Sequence, residues 1–315
     1  MNRDDLRKRL NGPIASLVTP FDQEGRLCPE GLLQEINFLL AAGIKVLACN
    51  GSIGEFSSLT TSERKQVLEL TLKYAGDDAL IVTGCASSDL ATVLELSDHA
   101  AAQGAHAIML TAPYYFKSTS QELYEFFRVI DTKLTLPWII YNNPTTTRAD
   151  IPLDLIVQFS KMEHFAALKE SSADMVRYYE EQERFGSIFP IIAAAEPVIV
   201  FQLLAGAAGL MTATVDFAPT LMRDLWTAAS EKKTEQAFAL FSGVFQIRKL
   251  MSEAVGRGFP AFVQYTKAAL EIQGIPVGPP RAPLSVLPSA EKARLVQVLA
   301  QVLKARPVET TFDDI

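Results

Sequence analysis

The chain has 315 residues, 49% hydrophobic and 21% charged, which places it among ordinary globular proteins and apart from disordered or fibrous ones. Its 36 acids against 29 bases leave a net charge of −7, the wrong sign for neutralising phosphates, so a nucleic-acid partner is not expected. Cys28, Cys49 and Cys85 are odd in number and widely spaced, without a disulfide or zinc pattern, and Met1 to Arg9 is too charged to open a signal peptide; a reducing, cytoplasmic location is expected.

Short apolar runs recur along the chain at Ile14 to Thr19, Val46 to Asn50, Leu80 to Gly84, His106 to Leu110, Trp138 to Tyr141, Phe165 to Lys169, Ile188 to Ala193 and Gly209 to Thr212. Most positions in each are apolar, without strict alternation, as in parallel strands buried on both faces. Thr60 with Glu63 and Thr119 with Glu122 have the spacing of a capping box at a helix start, and Gly43, Gly76 and Gly104 stand where helices should stop. The runs start roughly 20 to 35 residues apart, the interval of a βα unit, so the series predicts an α/β fold closed as a (β/α)₈ TIM barrel. A doubly wound sheet is the alternative, but no G-x-G-x-x-G follows the first strand and no P-loop occurs. The most apolar window, Ile191 to Val215, is interrupted by Glu196, Pro197 and Gln202, so it reads as two buried strands around a helix and no membrane span is expected. After Pro219 the strand signal ends. Leu221 to Ala229, Glu235 to Met251, Pro260 to Ile272 and Ala290 to Ala305 read as helices, with a Gly/Pro break from Gly256 to Pro260 and a fraying acidic tail from Glu309 to Ile315. The expected organisation is a barrel catalytic domain over 1–219 and a C-terminal helical appendage over 220–315.

In such a barrel the chemistry lies at the C-terminal ends of the strands. Lys169 ends the apolar run Phe165-Ala-Ala-Leu168, so it should project into the barrel mouth, where poor solvation disfavours the ammonium and frees a lone pair for attack on a carbonyl. Taken alone, a lysine snorkelling to solvent explains it better. Tyr141 ends the preceding strand and should face the same mouth, where a phenol can relay protons during carbinolamine formation and dehydration; a rim tyrosine is the bland alternative. Gly51-Ser52-Ile53-Gly54-Glu55 follows the second strand, and its glycines allow the Ser52 and Ile53 amides to approach a carboxylate while the Ser52 hydroxyl extends the relay. A plain glycine-rich turn has the same composition. His99, His106 and His164 have no metal-ligand spacing, so no metal is expected.

Together these segments, with Gly12 to Phe21, Pro113-Tyr114-Tyr115, Tyr141-Asn142-Asn143-Pro144, Lys169-Glu170 and Gly206 to Thr214, resemble the pyruvate-dependent class I aldolase family that includes dihydrodipicolinate synthase and N-acetylneuraminate lyase. The resemblance spans essentially the whole chain. It implies that Lys169 forms an imine with a 2-oxo acid, that Tyr141 transfers protons, and that Ser52 is the first hydroxyl of a relay. It further implies that Tyr115 reaches into a neighbouring subunit as the third relay member. A homo-oligomer, usually a dimer of dimers and hence a homotetramer, follows from that. Ile53, Met211 and the backbone around Ser52 would hold the pyruvyl carboxylate, and Glu196 would face the second substrate.

Two departures bear on the substrate. Ile53 stands where the synthase has a second threonine, and Thr146 stands where it carries an arginine for its partner's carboxylate, with Arg148 displaced by two residues. A threonine cannot supply the charge-assisted, bidentate contact, worth roughly 2 kcal/mol or more, so the lysine-biosynthetic reaction is disfavoured. The expected protein is a lyase acting without added cofactor on a small 2-oxo acid, pyruvate or a pyruvyl-containing substrate. The alternatives are a dehydratase or deaminase of a sugar acid or proline-derived keto acid using the same imine, and a non-catalytic 2-oxo acid binding protein.

Overall fold

The computed structural model describes residues 1–253 and 260–303. Eight parallel strands close into a barrel: β1 Gly12–Ser16, β2 Val46–Cys49, β3 Leu80–Gly84, β4 Ala107–Thr111, β5 Trp138–Asn142, β6 Phe165–Glu170, β7 Ile191–Ala193 and β8 Gly209–Leu210. Each pairs with the next, and β8 closes on β1 through Gly12 opposite Gly209 and Pro13 opposite Leu210. The (β/α)₈ fold expected from the spacing of apolar runs is the fold observed.

Burial on both faces explains the continuous apolar runs. Ile14, Val46, Ala48, Leu80, Val82, Met109 and Ile139 fill the barrel interior, while Ala15, Leu47, Ile81, Ile108 and Ile140 face the surrounding helices. The helix Arg3–Arg9 stoppers the N-terminal end: Leu6 and Leu10 are fully buried among the interior residues, and Arg7 donates to the carbonyls of Ala166 and Phe165. Both expected capping boxes are present, Thr60 with Glu63 and Thr119 with Glu122, and Gly104 ends its helix in the left-handed region at φ 87°.

Two strands differ by three residues at one end from their sequence-based bounds, and the other six agree to within two residues, the eighth ending at Leu210 instead of Thr212. The first leaves the sheet after Ser16, because the Val18 amide donates to Glu35 and the Thr19 hydroxyl to the Gly54 carbonyl, so the apolar residues after Ser16 bury a loop. The seventh begins at Ile191, three residues late, with Ile188 exposed on the approach.

The later helices Pro219–Ser230, Thr234–Glu253, Pro260–Ile272 and Ser289–Val302 match the expected segments closely, and no described helix is long and apolar enough to cross a membrane. The chain around them is tied to the loop after β2. Lys267 Nζ lies 2.7 Å from Glu55 Oε1, the Arg281 amide donates to Glu55 Oε2 at 2.8 Å, and the Arg281 guanidinium reaches Glu63 at 2.7 Å. The expected break at Gly256 and the tail from Glu309 lie outside the described residues.

Candidate active site

Side chains alternate along a strand, so the last two residues of β5 and β6 point opposite ways. Tyr141 is in register with Lys169, and Asn142 with Glu170. The outward pair locks the ends of the two strands: Asn142 Nδ2 donates to Glu170 Oε2 at 2.8 Å, and Arg177 binds Glu170, Glu181 and Asp150 in one cluster. The inward pair faces the barrel mouth.

Lys169 is only 6% exposed, and its Nζ lies 3.8 Å from the centroid of the Tyr141 ring. Burial, with no ion-pairing partner among the described residues, lowers its pKa from 10.5 to about 7, although the charge of Asp216 works the other way. The same burial pushes the Tyr141 phenol up to about 12, against a favourable hydrogen bond from Ser171. One partner is therefore about half free amine at neutral pH, and the other remains a proton donor.

Asp216 is fully buried in the short helix Ala213–Phe217 that follows β8. Its Oδ1 accepts the Ser16 amide at 2.7 Å, while Oδ2 has no hydrogen-bond partner among the described residues. Desolvation drives this carboxyl well above the usual range, and the charge of Lys169 draws it back down. A proton can thus be held by either group of the pair, and a fixed cation on Lys169 would favour the carboxylate.

Of the residues expected from the sequence, Lys169, Tyr141, Ser52, Ile53, Met211 and Glu196 line one cavity of about 240 Å³. Among the described residues no hydrogen bond joins Ser52 to Tyr141; the phenol oxygen instead accepts from Asn143 Nδ2 at 3.1 Å. The Ser52 and Ile53 amides make no backbone hydrogen bond with other described residues, leaving two donors at the cavity wall. Their loop needs glycine: a Cβ on Gly54 would come within 2.9 Å of the Leu17 carbonyl oxygen, and one on Gly84 still nearer to that of Asn50. Glu196 Oε1 accepts the Thr214 amide at 3.0 Å, and Oε2 has no hydrogen-bond partner among the described residues.

Other expected residues lie elsewhere. Thr146 lines a neighbouring cavity of about 260 Å³ beside Phe56 and Tyr114, and Thr145 takes the place on the Lys169 cavity. Arg148 is exposed and lines neither. Tyr115 is 81% exposed and outside the cavity of its own chain, its ring 4.9 Å from that of Phe116. Asp216 and Arg248 were not singled out from the sequence, and Asn143 was quoted only within the motif Tyr141 to Pro144, without a role. A lone acid in the apolar stretch after β8 was a usable signal for Asp216; nothing marked Arg248 among the charged residues of its helix. Among the described residues no three His, Cys, Asp or Glu side chains converge to hold a metal ion.

Comparison with known proteins gives the family. Residues 9–302 match the model of the dihydrodipicolinate synthetase family. The 4-hydroxy-tetrahydrodipicolinate synthase of Phenylobacterium zucineum is 29% identical over 294 residues, covering 93% of this chain and 97% of that protein. The crystal structure of a putative dihydrodipicolinate synthetase from Pseudomonas aeruginosa superposes with a TM-score of 0.88 at 26% identity, over 93% of this chain and 99% of that one. A prophage protein of the dihydrodipicolinic acid synthase family from E. coli K12, solved in complex with pyruvate, gives 0.87 at 25% identity, over 94% and 99%. With the match running through every strand of the barrel, the chain belongs to the dihydrodipicolinate synthetase family and is a lyase of the aldolase type.

Proposed function

We propose that the protein makes or breaks a carbon–carbon bond next to the carbonyl of a 2-oxo acid, pyruvate or its adducts, through an imine on Lys169. The observation that carries this reading is the buried amine: its Nζ is 3.8 Å from the Tyr141 ring and its pKa is about 7. The lone pair attacks C2 of the 2-oxo acid, and the nitrogen's proton passes to the carbonyl oxygen, giving a carbinolamine. Protonation of that hydroxyl lets water leave and an iminium form. Tyr141, protonated throughout the neutral range, serves these transfers. In the cleavage direction, removal of the C4 hydroxyl proton lets the C3–C4 electron pair flow into the iminium, releasing an aldehyde and leaving an enamine. Protonation at C3 and hydrolysis return pyruvate and the free amine; condensation runs the same steps in reverse.

The free Ser52 and Ile53 amides support binding of the 2-oxo acid carboxylate, and Asp216 supports the iminium as its buried counter-charge. Exposed Tyr115 and Phe116 support a homo-oligomer in which this loop meets another subunit. The test is borohydride reduction with pyruvate followed by peptide mass spectrometry. A reduced three-carbon adduct on Lys169, absent from Lys169→Ala, is expected; no adduct at saturating pyruvate overturns the reading.

A further inference from the structure

With Thr146 standing where the synthase carries its arginine and with Arg148 turned to solvent, the cavity has one guanidinium on its wall among the described residues. Arg248 comes from the helix Thr234–Glu253 and lines the Lys169 cavity together with Phe262. Its carbon Cζ sits 4.9 Å from the Phe262 ring centroid, and one terminal nitrogen donates to the Ser252 hydroxyl. Among the described residues Nε has no hydrogen-bond partner, although it is buried, and no acid is bonded to the guanidinium. A half-buried guanidinium stacked on a ring, with donors to spare at the wall of a substrate cavity, has the form of an anion-binding group.

The structure assigns to Arg248, we infer, the recognition of a second carboxylate on the substrate, at the end remote from the carbonyl that reacts with Lys169. This rests on the imine reading and adds the substrate class: 2-oxo acids, or aldehyde partners, that bear a distal carboxylate. The 2-oxo acid's own carboxylate has the amides of Ser52 and Ile53, so Arg248 is left for a different anion. A carboxylate suits it better than a phosphate. Among the described residues Arg248 is the single permanently charged cation on this wall, and the Glu196 Oε2 atom, without a hydrogen-bond partner among them, lines the same cavity and would repel a dianion more than a monoanion. The helices after the barrel thereby contribute a specificity-determining residue.

The experiment needs no knowledge of the natural partner. Borohydride trapping on Lys169 is measured as a function of concentration for 2-oxo dicarboxylic acids of five, six and seven carbons and for the matching 2-oxo monocarboxylic acids, with pyruvate as reference. At one chain length at least, the dicarboxylic acid should half-saturate at a concentration tenfold or more below its monocarboxylic counterpart. Arg248→Gln should abolish that preference and Arg248→Lys should retain part of it, with the half-saturation of the dicarboxylic acid moving at least tenfold more than that of pyruvate, which has no distal carboxylate. Equal half-saturation in the native protein, a preference that survives Arg248→Gln, or failure of every dicarboxylic acid to form an adduct where pyruvate does would overturn the assignment. A six-carbon analogue with a phosphonate in place of the distal carboxylate that binds more tightly through Arg248 would overturn the choice of carboxylate. Should pyruvate itself leave no adduct, the imine reading falls instead, so the two failures are distinct.

Discussion

The charge state of Lys169 sets a pH profile that can be worked out in advance. An ordinary lysine with a pKa of 10.5 is about 0.03% free amine at pH 7, whereas one near 7 is about half free, a gain of more than about a thousandfold in the reactive species. Because the neutral form attacks, the rate of imine formation must rise as pH rises through the folded pKa and level off above it. From pH 6 to 8 the free amine grows from about a tenth to about nine tenths, roughly tenfold, while an unperturbed lysine would gain about a hundredfold and keep climbing. Asp216→Asn probes the cause. Asparagine retains the oxygen that accepts the Ser16 amide but removes the charge that favours the ammonium, so the midpoint should move to lower pH. The plateau rate should fall about a hundredfold, the scale on which removal of one preorganised electrostatic contact slows a reaction whose charge it stabilises. The assay is single-turnover borohydride trapping of pyruvate from pH 5.5 to 10, with circular dichroism confirming that the variant is folded. A native midpoint above pH 9 would refute desolvation as the activating effect. An Asn variant with unchanged midpoint and plateau would refute the coupling to Asp216.

Two further outcomes follow from the same geometry. Tyr141→Phe keeps the ring against Lys169 but removes the proton donor, so turnover should fall by about 10² to 10⁴ with little change in KM; a KM effect as large as that on kcat would assign the phenol to binding alone. Arg177→Met leaves Glu170 and Glu181 buried without their shared cation, which should cost about 3 to 5 kcal/mol in urea unfolding, and a loss below 1 kcal/mol would show that the cluster does not hold the strand ends together.

The barrel was legible because its strands are buried on both faces, which writes them into the sequence as apolar runs at regular intervals. The bounds were less legible where apolar content serves another purpose. Leu17 and Val18 are as apolar as a strand requires, yet they are buried beneath a loop whose amide and hydroxyl are taken by Glu35 and Gly54. Lys169 and Tyr141 could be read because each closes an apolar run, a local pattern. Asp216 and Arg248 could not be placed in the same way, since their importance depends on a cavity formed by segments far apart in the chain. A similar limit explains Thr146. Sequence offset alone cannot say which side of a single turn faces the lysine, and the four-residue helix Pro144–Thr147 presents Thr145 to it.

Buried ionisable groups connect the reacting amine to the helices beyond the barrel. Asp216 feels Lys169 on one side; on the other lies Glu35, whose pKa is raised first by burial and further by the charge of Asp216, while the charge of Lys267, itself paired with Glu55, draws it down. Each group is buried, so a net charge anywhere along this path is costly unless a neighbour compensates it. In the proposed reaction, a fixed cation on Lys169 would therefore favour the carboxylate form of Asp216, which would offset the new charge inside the barrel. Glu55 sits in the same loop as Ser52 and Ile53, so its pairing with Lys267 holds the amide donors while fixing the charge at the far end of the path. The helices after Pro219 thus belong to the electrostatics of the site as well as to its walls, through Lys267 beneath the loop and Arg248 at the cavity. Removing them would leave Glu55 without its cation and the cavity open on one side, even with every strand of the barrel intact.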